Sequence, residues 1–269
     1  MLTALRNQLG SAVSGHVNEF LTRPGETLIE ASHRLGIFDV EGLKVKNRSF
    51  DTTPQAPPQR VTVDAPPEVM DASLKPVIQT MQALGYVVFR DDRKDYNLNI
   101  VGIRSDTNEA NHFDDEIRVF WRFENRWKQK VYKATTDPGL SWLQSPENKH
   151  GTAILKEGQY RSSHRLGKHR GKYDALVQKE PVTVIRDFNR DRKPDFTSGR
   201  EQTGIFGINI HRASEYQESL FVNKWSAGCQ VFARPDEYAE FMRLCKLAVA
   251  EWGNSFTYTL MRFDQLHPH

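Results

Sequence analysis

Eight segments rich in valine, isoleucine, phenylalanine and tyrosine follow one another between residues 86 and 263, and they constrain the fold more than any other feature. Glycine, proline, asparagine or aspartate flanks most of them, which is typical of strands that end at turns. The predicted strands are YVVFR (86–90), LNIVGIR (98–104), EIRVFWRF (116–123), KVYKATT (130–136), GTAIL (151–155), PVTVIRDF (181–188), IFGINIHR (205–212) and FTYTLMRF (256–263). The sequence therefore predicts a β-rich domain.

Two helices are predicted to pack on these strands. The first is capped by Ser73 and ends at Gly85. Its apolar stripe comprises Leu74, Val77, Ile78, Met81 and Leu84. The second helix runs from about Pro235, which suits a first helical position, to Trp252. Strands with a few packing helices predict the α+β class.

A proline-rich stretch divides the chain. DTTPQAPPQRVTVDAPP, residues 51–67, holds five of the thirteen prolines and predicts an extended linker. Apolar residues before it recur at helical spacing, so residues 1–50 are predicted to form a small helical region. Its stretch LTRPGETLIEASHRLGI is similar to the opening of a LysM wall-binding repeat, which makes the region a candidate targeting or wall-binding piece. Residues 68–269 are predicted to form the main domain.

The composition excludes several classes of protein. A formal net charge of +3 is too small to indicate a nucleic-acid partner. No apolar run approaches the roughly 20 residues that a membrane-spanning helix needs, so no membrane insertion is expected. Two cysteines exclude a disulfide-dense scaffold. The N-terminus lacks the basic start and unbroken apolar run of a secretory signal, so we expect a protein made in the cytoplasm.

Cys229 follows a turn of small residues, Ser226-Ala227-Gly228, in which the backbone can approach a ligand closely. The segment QVF after it is typical of a strand, so the cysteine is expected at the edge of a cleft. Backbone N–H groups beside a nucleophile are what the oxyanion of an acyl transfer needs. Cys245 lies on the apolar stripe of the second helix and is predicted to be part of the core.

His211 ends the apolar segment FGINIH, which is expected to hold it rigidly. A nearby imidazole can withdraw the proton of Cys229 to give a reactive thiolate, and adjacent strands would bring the pair together. Residue types alone leave the alternative of a strand-end histidine and a buried turn thiol. A further alternative is a zinc site of His164, His169, His211 and Cys229, although no HExxH or paired CxxC spacing supports it.

The order of His211, fourteen residues and then Ser226-x-Gly228-Cys229 resembles the active-site signature of the L,D-transpeptidase (YkuD-type) family, most strongly over residues 205–232. The resemblance implies the family's fold, a mixed β-sheet core with packing helices. It also implies cleavage of peptidoglycan stem peptides between the third-position diamino acid and D-alanine, with acyl transfer to an amine or water. Cys229 would be the nucleophile and His211 the base. Gly228 and Cys229 would form the oxyanion hole, and Ser226 would order the turn.

Two positions depart from the family pattern. Ala227 stands where many members have histidine, and Val231 stands where many have arginine or asparagine. We therefore expect other residues to meet the carboxylates of the substrate. Arg212, directly after His211, and Trp225, directly before Ser226, are candidates for substrate binding.

The basic segment YRSSHRLGKHRGKYDALVQ, residues 160–178, is another candidate binding region. It adds Arg165 and His169 to the predicted substrate-binding residues. The segment is interpreted either as a solvated loop or as an edge that binds an anionic polymer.

A calcium loop is predicted in RDFNRDRKPDF, residues 186–196, because oxygen ligands alternate there. Its ligands would be Asp187, Asn189, Asp191 and Asp195. Arg192 replaces the usual glycine, so an Asx-rich hairpin turn is the alternative interpretation. No cofactor is expected to be required, and calcium would be structural.

Taken together, the residues and the resemblance predict a peptidoglycan-modifying cysteine enzyme of the transpeptidase, carboxypeptidase or endopeptidase type. Without a secretory signal, it is expected to reach the cell wall by delivery or after lysis, as a phage-encoded lysin or an injected toxin. The alternative is a non-catalytic peptidoglycan-binding or virion structural module that retains the fold. The sequence does not indicate an oligomeric state.

Overall fold

The computed structural model describes residues 70–266, apart from Asp92, Asn108 and Asn125. The predicted helical region 1–50 and the linker 51–67 lie outside the described residues. The described part contains more strand than helix, which confirms the prediction of a β-rich α+β domain. Among the described helices, none is long and apolar enough to cross a membrane.

Four helices and eleven strands make up the described part of the chain. The helices are α1 (Leu74–Ala83), α2 (Leu140–Gln144), α3 (Pro235–Trp252) and α4 (Phe263–Leu266). The strands are β1 (Asn99–Arg104), β2 (Asp115–Phe123), β3 (Arg126–Thr135), β4 (Thr152–Leu155), β5 (Gly158–His169), β6 (Tyr173–Gln178), β7 (Val182–Asp187), β8 (Arg200–Gly204), β9 (Ile210–Arg212), β10 (Gln230–Phe232) and β11 (Phe256–Arg262).

Eight of these strands close a barrel in the order β1, β11, β5, β6, β9, β10, β3, β2. Two neighbouring pairs, β1 with β11 and β9 with β10, are parallel, and the other pairs are antiparallel. Strands β4, β7 and β8 form a separate antiparallel sheet. In the parallel pair of β9 and β10, His211 lies on β9, and Cys229 directly precedes β10.

Two apolar cores hold the elements together. α3 packs Tyr238, Phe241 and Cys245 into the larger core with Ile210 and Phe232. The rings of Phe232 and Phe241 are 4.9 Å apart between centroids. α1 forms a second core against β1 and β11 through its apolar stripe, with Leu74, Val77, Ile78 and Met81 all buried. The larger core therefore anchors the strands that lead into and out of the candidate site.

The predicted strand at residues 86–90 is wrong, because side chains bind its backbone instead of a neighbouring strand. Asn99 bonds to both the N–H and the C=O of Phe89, at 2.8 and 3.0 Å. Gln159 does the same for Val87, at 2.9 Å for each bond. The predicted cap of α1 is also wrong, since Ser73 makes no side-chain capping bond.

The loop interpretation of residues 160–178 is wrong as well, because this segment forms most of β5 and β6. The buried residues of β5 are polar, which hides the strand pattern. Ser163, His164 and His169 are buried, and the His164 Nε2 lies 2.9 Å from the carbonyl oxygen of Ile208. Residues 205–209 of another predicted strand lie outside β9, and Gln178 Oε1 accepts bonds from the N–H groups of Phe206 and Ile208.

Candidate active site

The turn before β10 needs the small residues found in the sequence. Gly228 has φ +118, and a Cβ there would lie 2.3 Å from the carbonyl oxygen of Ala153, so no other residue fits. The buried Ser226 hydroxyl donates to the Cys229 carbonyl oxygen at 2.8 Å and accepts from the Gly228 N–H at 3.1 Å. Ser226 therefore closes the turn and fixes Cys229 at its end.

The hydrogen bonds within the turn determine which backbone N–H group is free to donate to an oxyanion. The resemblance implies that the backbone of both Gly228 and Cys229 serves this role. The Gly228 N–H is already bonded to Ser226 Oγ. The Cys229 N–H has no hydrogen-bond partner among the described residues. Covalent geometry keeps that N–H close to any acyl group on the Cys229 sulfur, so Cys229 alone offers a free donor.

The Cys229 thiol is partly buried beside the segment that leads into β9. Its sulfur accepts a bond from the Asn209 N–H at 3.5 Å, and the thiol donates to the Gly207 carbonyl oxygen at 3.4 Å. Burial raises the pKa of the Cys229 thiol, and the Asn209 N–H opposes this effect more weakly. The thiol is therefore protonated at neutral pH.

His211 lies on β9, in register with Val231 of β10. Its Nδ1 is 2.8 Å from the carbonyl oxygen of Arg212, which can only accept, so Nδ1 carries the proton. This tautomer leaves Nε2 with a free lone pair, as a general base requires. Burial, and secondarily the neighbouring His169, lower the pKa of His211 to about 3, so the ring is neutral at neutral pH.

His169, at the end of β5, stacks on His211 with 4.0 Å between ring centroids. Its Nδ1 lies 3.2 Å from the amide nitrogen of Asn209 and accepts a bond from it. Burial, followed by Arg170, lowers the pKa of His169 to about 4. Asn209 thus touches both the thiol, through its N–H, and His169, through its side chain.

His211 lies on β9 and Cys229 directly precedes the adjacent parallel strand β10, but no hydrogen bond of the described residues joins the two side chains. Strand alternation places the side chains of Cys229 and Val231 on one side, and Val231 is in register with His211. The thiol is bonded to Gly207 instead. To reach the imidazole, the thiol must leave that carbonyl oxygen.

A cavity of about 480 Å³ opens beside His211, and it is lined by three of the four predicted substrate-binding residues: His169, Arg212 and Trp225. Arg165, the fourth, is exposed on β5 and does not line this cavity. Arg212 lies 4.2 Å above the ring of Tyr173 and pairs with Glu215 at 3.1 Å.

The same cavity is strongly basic. Its charged lining residues are Arg170, Lys172, Arg212, Lys224 and Glu215. The β5–β6 hairpin supplies the first two cations, and Arg170 and Gly171 at its tip both have positive φ, as tight hairpin turns require. Four cations against one carboxylate favour an anionic ligand.

A second cavity, of about 470 Å³, lies on the other side of the turn. Its lining includes Ala227, Ala153, Trp142, Arg186 and Phe206. Trp225 lines the first cavity and Ala227 lines the second, so the residues just before Cys229 contribute to both cavities.

The predicted calcium ligands are hydrogen-bonded to one another within their loop. Asn189 Nδ2 donates to Asp195 Oδ2 at 2.9 Å, and the Asp195 N–H donates to Asp187 Oδ2 at 3.1 Å. The Asp191 N–H donates to Asn189 Oδ1 at 3.0 Å. In the described part of the chain, no group of three or more histidine, cysteine, aspartate or glutamate side chains could hold a metal ion. These contacts favour the Asx-rich turn, and calcium stays a prediction.

The zinc alternative has no geometric support either. His164 is buried between Ser163 Oγ, at 2.8 Å from its Nδ1, and the carbonyl oxygen of Ile208. Burial lowers the pKa of His164 to about 4. Both of its nitrogens are used by structural bonds, so His164 does not join His169, His211 and Cys229.

Sequence reasoning missed Asn209 and Gln230, and it included Tyr173 and Arg170 only as members of the basic segment 160–178. Asn209, Tyr173 and Gln230 each bond to a partner far along the chain. The Tyr173 hydroxyl lies 3.3 Å from the Arg212 carbonyl oxygen, 39 residues along the chain. The β5–β6 hairpin would have located Tyr173 and Arg170, had the strands been recognised.

Comparison of the chain with models of known protein families, with curated proteins and with solved structures found no match. The resemblance to L,D-transpeptidases therefore rests on the residues of the signature, 205–232. The roles that it implies for Cys229, His211, Ser226 and Gly228 stay predictions.

Proposed function

We propose that residues 68–269 form a cysteine-dependent acyltransferase or hydrolase of the L,D-transpeptidase type that acts on peptidoglycan stem peptides. The observation that carries the proposal is the placement of the signature residues. Cys229 ends a glycine turn with its own N–H free, and His211 lies on the adjacent parallel strand with Nδ1 protonated. A nucleophile, a base and an oxyanion donor are thereby available on neighbouring elements.

The reaction starts from a neutral thiol and a neutral imidazole. Cys229 Sγ bonds to the carbonyl carbon between the third-position diamino acid and D-alanine, and the thiol proton passes to His211 Nε2. The oxyanion is held by the Cys229 N–H. When the C–N bond breaks, the D-alanine amine takes the proton from His211. An acceptor amine or water then attacks the thioester and restores the thiol.

The basic cavity supports an anionic peptide as the substrate. Stem peptides carry free carboxylates, and Arg212 and Lys172 lie on the lining of the cavity that contains His211. Charges around a low-dielectric cleft attract a ligand of opposite sign. Arg212, His169 and Trp225 are the proposed substrate-binding residues, with Arg165 outside the cavity.

The finer fold and the place of action belong to the proposal. The described strands form a closed mixed barrel and a separate three-stranded sheet, and membership of this β-rich α+β arrangement in the family fold is part of the proposal. The protein would act on the cell wall after delivery or lysis, as a phage-encoded or injected enzyme, and this part rests on the resemblance alone.

A second function is favoured by one observation. The Cys229 thiol is bonded to Gly207 and Asn209 rather than to His211, and burial raises its pKa. A module that binds peptidoglycan without catalysis, including a virion structural module, would need no contact between the thiol and the base. The basic cavity would then serve binding only.

Mass spectrometry of purified tetrapeptide and cross-linked muropeptides tests the two functions. We expect wild type to release D-alanine or to form a new cross-link, and Cys229→Ala to do neither. Cys245→Ala is the matched control, because Cys245 is fully buried in the core, and it should stay active. If wild type binds sacculi but leaves every muropeptide unchanged, the binding module is the better account.

A further inference from the structure

Gln230 is a polar side chain in the interior of the barrel, directly after the candidate nucleophile. Its side chain is 0% exposed, and its strand neighbours Phe232 and Ile210 face the apolar core. A buried amide without partners costs about 1–3 kcal/mol, so its hydrogen bonds must explain it.

Each hydrogen bond of the Gln230 side-chain amide has a defined donor and acceptor. Nε2 donates to the carbonyl oxygens of Gly228, at 3.2 Å, and Thr136, at 3.4 Å. Oε1 accepts from the hydroxyl of the buried Tyr258 at 2.7 Å. A flipped amide would place Oε1 against two carbonyl oxygens, so only one orientation is favourable.

The hydrogen bonds of the Gln230 amide continue further into the barrel through Thr136. The Thr136 carbonyl oxygen also accepts a bond from Arg104 Nη2 at 3.3 Å. Arg104 is itself held by Glu157, at 2.7 Å. Gln230 therefore links the turn to a rigid, charged part of the interior.

The planarity of the peptide bond links the Gln230 amide to the direction of the Cys229 N–H. In a trans peptide, the C=O and the following N–H point in opposite directions. Because Gln230 holds the Gly228 C=O toward the barrel interior, the Cys229 N–H must point away from it. We infer that Gln230 is a positioning residue that sets the direction of the oxyanion donor, with Tyr258 fixing its orientation. This inference rests on the proposed function.

Two reagents separate positioning of the donor from general damage to the turn. p-Nitrophenyl acetate acylates a thiol through an oxyanion: the S–C bond forms, the C–O bond breaks, p-nitrophenolate leaves and the thiol proton passes to His211. Iodoacetamide alkylates the same thiol at a saturated carbon and forms no oxyanion. Only the first reaction needs the Cys229 N–H in the right direction.

The experiment compares wild type, Gln230→Met and Tyr258→Phe in stopped-flow acylation and in alkylation of Cys229. Methionine keeps the length of the side chain without its amide, and phenylalanine removes only the hydroxyl. Loss of an oxyanion donor costs about 10²–10³ in rate, so we expect Gln230→Met to slow acylation by about 10- to 100-fold. Tyr258→Phe should slow it less, and alkylation should stay within about twofold of wild type in both variants.

Unchanged acylation in both variants would overturn the inference, and so would an equal fall in acylation and alkylation. Cys229→Ala distinguishes this result from failure of the proposed function. If wild type and Cys229→Ala release p-nitrophenolate equally, Cys229 is not an acyl-accepting nucleophile, and both proposals fall. If Gln230→Met does not fold, Tyr258→Phe decides the inference by the same two rates.

Discussion

Two buried polar regions of the domain differ in whether they hold a charged side chain. The first, the Arg104 cluster, comprises Arg104, Asp115, Thr136, Asp137 and Glu157. Its guanidinium is buried at 1% exposure and lies 2.8 Å from Asp137 and 2.7 Å from Glu157. The Nε–H group that faces Asp137 also lies 3.2 Å from Thr136 Oγ1, and Nη2 donates to the carbonyl oxygens of Thr136 and Leu155. Arg104 keeps its charge because carboxylates surround it, whereas burial raises the pKa of Asp115 to about 7 and also raises the pKa of Asp137.

The second region, the Cys229 site, comprises Cys229, His169 and His211 and keeps no charge at all. Burial lowers the pKa of His211 to about 3 and that of His169 to about 4, and it raises the pKa of the Cys229 thiol. Within the described part of the chain, none of the three is hydrogen-bonded to a carboxylate. The site therefore holds a thiol proton, a free Nε2 lone pair and a free N–H.

The difference distinguishes a network of paired charges from a site whose groups keep unused bonding capacity. The charge of Arg104 is held by Asp137 and Glu157, so the Arg104 cluster fixes geometry. Groups kept neutral with unused bonding capacity can move a proton or meet a new charge. The two regions meet at the Thr136 carbonyl oxygen, which binds both Arg104 and Gln230. Substitutions in the first region should thus affect stability, and those in the second should affect chemistry.

Cys229→Ala should show the largest effect on chemistry. Without the nucleophile, we expect D-alanine release from tetrapeptide muropeptides to fall at least about a thousandfold. The free energy of unfolding should change by less than about 1 kcal/mol, because the thiol is small and partly exposed. Enzyme assays and urea denaturation measure the two quantities. A variant that keeps its activity would remove the distinction between the regions.

Arg104→Met should show the largest effect on stability. The substitution leaves Asp137 and Glu157 without their cation inside the protein, and we expect unfolding to become easier by about 3–5 kcal/mol. Arg262→Met is the matched control, since Arg262 pairs with Asp264 on the surface and should lose less than about 1 kcal/mol. Urea denaturation of both variants measures the difference. Equal losses would show that the Arg104 cluster does not hold the barrel.

The sequence predicts those features that short stretches of chain encode. The helix at residues 235–252 is found within the predicted bounds, because the proline at its first position, its apolar stripe and the glycine that follows it are all local. The turn at Cys229 is predictable for the same reason, since only glycine can adopt the φ of position 228 so close to the Ala153 carbonyl oxygen. The β-rich α+β class follows from segments whose composition alone favours strands.

Features that depend on distant partners are not predictable in this way. The strand at residues 86–90 is replaced by side-chain bonds from Asn99 and Gln159, the latter 72 residues away from Val87. Strand β5 is hidden because its buried positions are polar and find partners such as Ile208, 44 residues from His164. The role of Gln230 requires Tyr258, 28 residues further along the chain. In each case the physical reason is a bond across the fold.

Alkylation of Cys229 across pH measures directly whether the site is neutral. A lowered imidazole pKa means that His211 has lost its proton at pH 6–8 and cannot stabilise a thiolate as an ion pair. Because the thiol pKa is raised, the rate with iodoacetamide should rise about tenfold per pH unit from 6 to 8 without a plateau. Cys245→Ala serves as the background, so that one thiol reports. A rate independent of pH in this range would reveal a thiolate–imidazolium pair.

The charge at the rim of the basic cavity should have the smallest effect. Lys172 lies on the exposed β5–β6 hairpin and lines the cavity, so Lys172→Gln should weaken binding of a tetrapeptide muropeptide about two- to fivefold at low salt. The effect should disappear near 1 M salt, where charges are screened beyond about 3 Å. Lys75→Gln is the matched control, because Lys75 is equally exposed on α1 and lines neither cavity described above. Isothermal titration at two salt concentrations measures both, and equal weakening by the two variants would mean that net charge, rather than this cavity, attracts the ligand.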